Sequence, residues 1–519
     1  MIPAEKQTVT RFSVRRHKKL VWALCALFVA AAVTGGFFAE KYWPYRYRNV
    51  KPLLQQVFAS KVTISHYRRT YFPHPGFVAK ELTLRRNLSP GSAPIGSARD
   101  LVVQGTWTDL LLLRKRVMLV DIVGLHLVIP PMGSSELQKD FPVGSSADFA
   151  GPSMSVQELH VHRAVLDIMR TDGSRYSYAI KEAIIRNLRM GQPISYFLDM
   201  RNSAPLAGHI VARGSFGPLI PKNLGATPLS GKFTFGPANL NQVGELHGTM
   251  SGKGHFSGRL TSIEGYATAN VTDFAVSDGR PAAVSGSLQC TVNGLNADVV
   301  LHTMAVKTGE TTIHAGGDMV GWPKVIDMDL TVAKGRAQDV LRPFLHDSSP
   351  ITGVVWLKSH AHLAPAGPGT AFLKRLTMEG HFDVPDERVT IPSTEKMLSQ
   401  FSERAQGEKQ DDDADVLSSL EGPATIRNGL VSTRGLMFEV PGAKAKLHGW
   451  YNLSSGAVHL DGTMKMKSDI SHAETGFKSL LLKPLAPFFK KKKAGAVVPI
   501  AITGKPNHYK VSSNFLHQK

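Results

Sequence analysis

The strongest constraint on the fold is an alternation of apolar and polar residues with a period of two, which recurs along the chain from about residue 60. In one run, Ile326, Met328 and Leu330 alternate with Asp327 and Asp329. Successive side chains of a β-strand point to opposite faces, so a strand of this kind has one apolar face and one wet face. Similar runs lie at 62–65, 123–129 and 458–466. The pattern predicts a mainly β protein.

Turn-forming residues separate these runs at short intervals. The chain contains 47 Gly and 31 Pro, and the Asn-Gly pairs at 293–294 and 428–429 are typical of hairpin turns. Between residues 230 and 333 the expected strand centres lie near 256, 268, 288, 300, 313 and 329. Spacings of about 12 to 20 residues favour an antiparallel meander over βαβ units, which need about 30 residues. The sequence therefore predicts an antiparallel sheet.

Short helices are predicted where apolar residues recur at helical spacing. They lie within 49–60, 108–116, 336–345 and 392–406.

The strand runs fall into three regions. We expect an N-terminal β region at 45–131, a central β-meander with short helices at 154–406, and a C-terminal β region at 417–519. A linker at 132–153 and an acidic loop at 407–416 separate them.

The N-terminal segment differs from the rest of the chain. Residues 20–38 contain no charged side chain, and as a helix they would span about 28 Å, close to the hydrocarbon core of a bilayer. Basic residues are frequent in 1–19, which favours a cytoplasmic tail followed by one transmembrane anchor. The residues expected to form the anchor and its interface are Leu20, Trp22, Phe28, Phe37, Phe38, Tyr42 and Trp43.

A cleavable signal peptide is the alternative, because Ala30, Ala31 and Ala32 form a small-residue stretch that could be cut. The apolar run continues to Phe38 and ends in aromatic residues, as membrane-spanning helices do. We therefore expect the segment to be retained as an anchor.

The chain is strongly basic. It has 61 Lys and Arg against 41 Asp and Glu, a formal net charge of +20, which usually indicates an anionic partner. The basic residues are dispersed and no aromatic recognition motif accompanies them, so a lipid surface is favoured over nucleic acid. A membrane-surface contact is predicted where two phenylalanines precede a lysine run, at Phe488, Phe489, Lys490, Lys491, Lys492 and Lys493.

No motif in the sequence supplies catalysis, so we expect neither an enzyme nor a cofactor. The sequence contains no serine elbow, phosphate-binding loop or zinc-protease motif. His160 with His162, and His360 with His362, could each offer two ligands to a metal, but strand alternation makes them polar-face residues. Cys25 and Cys290 are the two cysteines, which excludes a disulfide framework. Cys290 is expected to be a buried free thiol.

Several segments, in order, resemble the AsmA-like family of envelope proteins, which is related to bridge-type lipid transfer proteins. KVTISHYRRTYFPHPGFVAKELTLRR at 61–86 is similar to the opening strand pair of that family, and 106–131 is similar to its short helix followed by a strand. SVQELHVHRAVLDIMRTDG at 155–173 resembles its recurrent strand–turn–strand unit. The segments 421–466 and 496–511 resemble its closing pattern.

The resemblance implies a long antiparallel sheet curled into a groove. It further implies an anchor in a bacterial inner membrane, a periplasmic body, and a role in phospholipid transport to the outer membrane or in maintaining that membrane. The alternative is an assembly or scaffolding factor for outer-membrane proteins that uses exposed sheet edges and binds no lipid. The expected partners are phospholipids, the inner membrane and envelope proteins. The candidate lipid-facing residues are Ile326, Met328, Leu330, Val332, Val458, Leu460 and Met464.

Overall fold

The computed structural model describes residues 43–512, apart from 58–59, 86–94, 130–154, 170–174, 190, 204–205, 221–222, 322, 350, 366–369, 390–417, 442, 467–496 and 506–507. The described residues form one long mixed sheet with a few short helices. The prediction of a mainly β chain with few helices is confirmed. The predicted anchor at 20–38, linker at 132–153, helix within 392–406 and acidic loop at 407–416 lie outside the described residues.

The N-terminal end of the sheet is covered by a helix. Helix α1 (Tyr47–Val57) begins two residues before the predicted segment 49–60 and overlaps most of it. Its Val50 is buried in a cluster with Val62, Phe77 and Leu101 of the strands below it. The elements that follow are β1 (Lys61–Thr70), β2 (Gly76–Arg85), β3 (Gly96–Gln104), helix α2 (Trp107–Leu111), β4 (Arg116–Val123) and β5 (His126–Ile129).

The central part of the sheet is a meander of long strands. Three of them reach 15 residues, which corresponds to about 50 Å. The strands are β6 (Ser155–Met169), β7 (Arg175–Arg189), β8 (Ile194–Asn202), β9 (Gly208–Phe216), β10 (Pro228–Asn239), β11 (Leu246–Arg259), β12 (Ser262–Val276), β13 (Ala282–Asn293), β14 (Asp298–Thr308), β15 (Thr311–Val320) and β16 (Val325–Arg336). Six of these contain the predicted strand centres.

Two short helices and the remaining strands complete the sheet. Helix α3 (Ala337–Leu341) and the 3-10 turn Arg342–Phe344 occupy the segment predicted to be helical at 336–345. The other elements are β17 (Ile351–Thr352), β18 (Val354–Leu363), helix α4 (Phe372–Arg375), β19 (Leu376–Val389), β20 (Ser418–Arg427), β21 (Leu430–Val440), β22 (Ala443–Asn452), β23 (Val458–Met466), β24 (Val497–Gly504) and β25 (Lys510–Ser512). Further 3-10 turns lie at Leu224–Ala226 and Leu240–Val243.

The sheet is not entirely antiparallel, so that part of the prediction is wrong. Strand β6 runs parallel to both β4 and β5, with Val120 opposite Leu159 and Leu127 opposite Leu166. Parallel neighbours need a connection of a dozen or more residues, and the segment 130–154 between β5 and β6 is long enough. All other strand pairings of the described residues are antiparallel.

One predicted hairpin turn shows how local sequence sets the register. Asn428 and Gly429 both have positive φ angles, 53° and 73°, and Arg427 pairs directly with Leu430 across the turn. Positive φ at both central residues defines the tight turn that matches the twist of two antiparallel strands, and Asn and Gly tolerate it best.

The three predicted β regions belong to one sheet. Pairing of β5 with β6 joins the first region to the second, and pairing of β19 with β20 joins the second to the third.

Fully buried apolar residues are concentrated in three clusters rather than spread along the sheet. One lies beneath α1, one includes Ala337 of α3 with Val332 and Val384, and one lies in β21–β24. Between the first two clusters, most apolar side chains of β8–β13 are only half-buried. The described part of the chain therefore has no second layer over the middle of the sheet.

Leu→Ala substitutions at one covered and one uncovered position of the sheet test whether the central face lacks a second layer. Leu101 of β3 is 3% exposed inside the first cluster, so Leu101→Ala should lower the free energy of unfolding by about 2 to 5 kcal/mol. Leu288 of β13 is half-buried, so Leu288→Ala should cost less than about 1.5 kcal/mol. Denaturant unfolding of the full chain measures both, and equal losses would contradict an uncovered central face.

Candidate functional site

Strand register aligns apolar side chains into a row that crosses most of the sheet. Directly paired residues of neighbouring strands share a face, so the register pairs can be followed from strand to strand. One such path, here called the central row, passes from β1 to β20 and contains one aliphatic or aromatic side chain, or a glycine, at every position except one serine. Its members are Tyr67, Ala79, Leu101, Ile122, Val161, Ala183, Leu198, Ala212, Phe233, Gly254, Ala267, Leu288, Met304, Ala315, Leu330, Ser359, Gly380 and Ala424.

Apolar rows also flank the central row on both sides. On one side the row runs from Phe256 through Gly265, Cys290 and Leu301 to Gly317 and then Met328. On the other side it includes Ile210, Phe235, Gly252, Ala269, Gly286, Val306, Ile313 and Val332. Together the three rows form what we call the apolar band.

The dimensions of the apolar band follow from β-sheet geometry. Neighbouring strands lie ~4.8 Å apart, so the central row is about 80 Å long, and three rows two residues apart span about 14 Å. The half-thickness of the hydrocarbon core of a bilayer is roughly 15 Å. The band is therefore about as wide as one acyl chain is long, and several times longer.

The opposite face of the same strands is polar. Shifting each position by one residue gives a path that contains His, Lys, Asp, Glu, Thr and Ser at all but a few places. Its members are His66, Lys80, Asp100, Val123, His162, Glu182, Asp199, Val211, Thr234, Lys253, Thr268, Ser287, Ala305, His314, Thr331, Lys358, His381 and Pro423. The two faces thus differ in polarity along the whole path.

All seven residues predicted to face lipid lie on the apolar face. Leu330 belongs to the central row. Met328 and Val458 share a face because a path of directly paired residues joins them, through Ala361, Met378, Ile426, Val431 and Tyr451. Ile326, Met328, Leu330, Val458 and Leu460 are half-buried. Val332 and Met464 are buried in local clusters. The first five are therefore the better candidates for contact with a ligand.

Aromatic rings lie flat over glycines in the middle of the band. A Cβ on Gly254 would lie 2.7 Å from the ring of Phe233, and a Cβ on Gly231 would lie 2.8 Å from the ring of Phe256. The two rings are 6.4 Å apart. Glycine therefore leaves room for the two rings over the sheet, where they form a broad apolar surface beside the Tyr196 hydroxyl.

A concavity of about 790 Å³ lies over β8–β13, and most of its lining belongs to the polar face. Arg213, Lys232 and Lys253 project from three neighbouring strands, and His255 stacks on Tyr266 with ring centroids 5.0 Å apart. None of the residues that line it is acidic. The concavity therefore combines cationic side chains with apolar ones such as Phe197 and Val211.

Histidines of both pairs on the polar face form hydrogen bonds with carboxylates. His360 bonds to Asp329 at 2.9 Å and His362 to Asp327 at 2.7 Å, across the β16–β18 pairing. The hydrogen bond with Asp329 raises the pKa of His360. His160 lies 3.0 Å from Glu158. Among the described residues, no group of three metal-binding side chains converges.

Asp167 of β6 is the most enclosed carboxylate with a polar network. Its side chain is 4% exposed, accepts a hydrogen bond from the Ser177 hydroxyl at 2.5 Å, and lies 3.0 Å from His126 Nε2 and 3.3 Å from Arg175 Nη1. Burial raises the pKa of Asp167, but the hydrogen bonds and the charge of Arg175 outweigh it and hold the pKa below the ordinary 3.8. The network fastens the end of β6 to β7 and β5.

Cys290 is a free, buried thiol, as predicted. Burial, and to a smaller extent the nearby charge of Glu264, raise its pKa. A thiol is nucleophilic only when deprotonated, so Cys290 acts as a small apolar side chain of the band.

Of the predicted anchor residues, Trp43 is the one within the described part of the chain. It is 2% exposed and packs against Tyr45, Tyr71 and Trp107. The structure places it inside the protein, where a buried indole offers no surface to a bilayer. Leu20, Trp22, Phe28, Phe37, Phe38 and Tyr42 lie outside the described residues, as do Phe488, Phe489, Lys490, Lys491, Lys492 and Lys493.

The helices of the described residues include none that is long and apolar enough to cross a membrane.

Comparisons of the chain with protein families, with curated proteins and with solved structures find no match.

Asp167→Asn should destabilise the folded chain because it removes the charge that three donors share. We expect a loss of about 1 to 3 kcal/mol at pH 7. Because the folded-state pKa is lowered, the contribution of Asp167 is complete above its unfolded-state value and disappears as the pH falls below it through the folded-state pKa. Thermal unfolding from pH 7 down to pH 3 should therefore show a shallower acid decline in the variant.

Asp329→Asn is the matched control. Asp329 is 83% exposed and bonds to one exposed histidine, so its replacement should change stability little. Equal effects of the two variants would contradict the structural role of the Asp167 network.

Proposed function

We propose that the chain binds phospholipid through its apolar band and supports lipid transport to, or maintenance of, an outer membrane. In this proposal the segment 20–38 anchors it once in a bacterial inner membrane and the sheet lies in the periplasm. The observation that carries the proposal is the central row, which is interrupted only by Ser359 and whose middle part is half-buried and not covered by the described residues. The resemblance to AsmA-like proteins supports the same reading.

The chemistry of the band suits acyl chains better than a specific ligand. Acyl chains gain free energy when apolar surface leaves water, in proportion to area and without direction. Aromatic rings over glycines, with Leu, Met and Ala around them, offer such area. No polar side chain is needed in the band to hold the ligand, so the proposed role is binding and transfer without catalysis or a cofactor.

The polarity of the opposite face supports a sheet with one face in contact with water and the other in contact with lipid. Lys, His, Asp and Thr side chains cover that face, many of them exposed. A phospholipid held by its acyl chains on the apolar face would keep its headgroup at the band's margin. The net charge of +20 would favour anionic headgroups there.

Photo-crosslinking at adjacent residues tests lipid contact directly. A benzophenone amino acid would replace Phe233, which is half-buried on the apolar face, or Thr234, which is exposed on the polar face. In bacterial cells grown with radioactive phosphate and expressing the full chain, the probe at 233 should form a phosphate-labelled lipid adduct after irradiation. The probe at 234 should form several-fold less, because its side chain points to the other face.

The absence of a lipid adduct at 233 would contradict the proposal. Adducts with protein instead, at 233 or at the sheet edges, would favour the assembly-factor alternative.

A charge on the band between Phe233 and Val458 tests whether lipid moves along it. Leu330→Glu places a carboxylate on the apolar face, where an unpaired charge loses hydration. If lipid enters beside the anchor, lipid adducts at a probe on Val458 should fall at least about tenfold, equivalent to a barrier of about 1.4 kcal/mol, while those at Phe233 should persist.

Thr331→Glu is the matched control, because Thr331 is exposed on the polar face of the same strand. It should leave both adducts unchanged. Unchanged adducts at Val458 in Leu330→Glu, with the chain folded, would contradict passage along the band.

A further inference from the structure

Three consecutive leucines are exposed at the end of α2. Leu111, Leu112 and Leu113 are 78%, 56% and 88% exposed. Phe72, in the loop between β1 and β2, is 87% exposed. Single exposed apolar residues are ordinary, but a group of large ones indicates a surface that is covered in use. We call these four residues the apolar tip.

The backbone of the apolar tip is held in place. Thr106 caps α2 by accepting a hydrogen bond from the Asp109 amide at 3.1 Å, and its hydroxyl donates to the Asp109 carboxylate at 2.8 Å. The Arg114 amide then bonds back to the Asp109 carbonyl at 2.8 Å. Leu113 has a φ of 53°, a left-handed conformation that is unfavourable for a leucine. The turn that follows α2 thus fixes the backbone of the most exposed leucine.

The two parts of the tip meet at one aromatic cluster. The ring of Phe72 lies 6.3 Å from that of Trp107, at the start of α2. Trp107 lies 5.8 Å from Trp43, which in turn lies 4.8 Å from Tyr71. Phe72 and the three leucines therefore project from the same end of the sheet.

This cluster also fixes where the predicted anchor joins the sheet. Trp43 is five residues beyond the end of the apolar segment 20–38, and five extended residues span at most about 18 Å. The anchor must therefore leave the membrane within that distance of the aromatic cluster that supports the tip.

Exposed basic residues follow the leucines directly. Arg114 and Lys115 are both exposed, next to the most exposed leucine of the tip. Apolar side chains beside Arg and Lys are the composition of surfaces that lie in a membrane interface, with the apolar groups among acyl chains and the cations at the lipid phosphates.

We infer that the apolar tip is a second membrane contact, by which Phe72 and Leu111–Leu113 enter the leaflet from which the anchor emerges. Arg114 and Lys115 then lie at anionic headgroups, and the N-terminal end of the sheet is seated on the bilayer. The inference rests on the anchor in the proposed function but not on lipid transfer along the band.

A fluorophore on the tip measures this contact. The full chain carries Cys25→Ser, so that buried Cys290 is its remaining cysteine, and either Leu112→Cys or Leu295→Cys is labelled with an environment-sensitive dye. Leu295, which is 43% exposed, lies in the turn after β13, on the same edge of the sheet but nine strand pairings, or about 43 Å, from β3. In vesicles of phosphatidylethanolamine and phosphatidylglycerol, the dye at 112 should shift to the blue and be quenched several-fold by nitroxide-labelled phospholipid.

The control dye at 295 should show neither change. A dye at 112 that stays in water, whether or not the chain binds the vesicles, overturns the inference. Adding Leu111→Glu and Leu113→Glu, at exposed positions that folding does not need, should return the dye at 112 to water. A dye that remains in the bilayer in that variant also overturns it. Lipid adducts at Phe233 report separately on the proposed function.

Discussion

Strand register is the interaction on which the other features of this sheet depend. Side chains alternate with a period of two, so a slip of one residue in any pairing would move all apolar residues of that strand to the polar face. Here the register holds from Tyr67 in β1 to Ala424 in β20. Irregularities at several pairings, such as that between Phe235 and Ala238, absorb extra residues while Phe235 stays beside Gly252. The apolar band is therefore a property of the hydrogen-bonded ladder and not of any one strand.

The apolar band is covered by other elements at its N-terminal end and not in its middle part, so its residues contribute differently to stability along its length. Beneath α1, Leu101 is buried and contributes to a packed core. In the middle of the sheet, Phe233 and Phe256 rest on glycines and remain half-buried. Residues with the same apolar character thus form a packed core at one end and, in the proposed function, would form the ligand surface in the middle. The difference arises from whether a helix or a neighbouring cluster lies over them.

Local patterns in the sequence predicted the structural features that are set by residues close together in the chain. The alternation placed Leu330 on the apolar face, and the pair Asn428-Gly429 formed its hairpin turn. Helix α3 lies within the segment predicted from helical spacing, and α1 overlaps most of its predicted segment. Features set by distant contacts could not be predicted in this way. The parallel pairing of β6 depends on a long connection, and the burial of Trp43 depends on Tyr71 and Trp107. A helix was predicted within 108–116, but α2 ends at Leu111. The exposure of the leucines depends on this early end of the helix.

The positions of the apolar tip and of α1 together constrain how lipid would reach the band. Strand β1 ends at Thr70, next to the tip residue Phe72, so the start of the central row lies close to the proposed membrane contact. At that same end Phe77 and Leu101 of the apolar face are buried together with Val50 of α1, so these two residues are not open to a ligand. Lipid would therefore have to displace α1 or pass its edge to reach the half-buried residues from β7 onward. If the proposed membrane contact holds, the cluster that Val50 of α1 forms with Val62 and Phe77 would lie between the bilayer and the open part of the band.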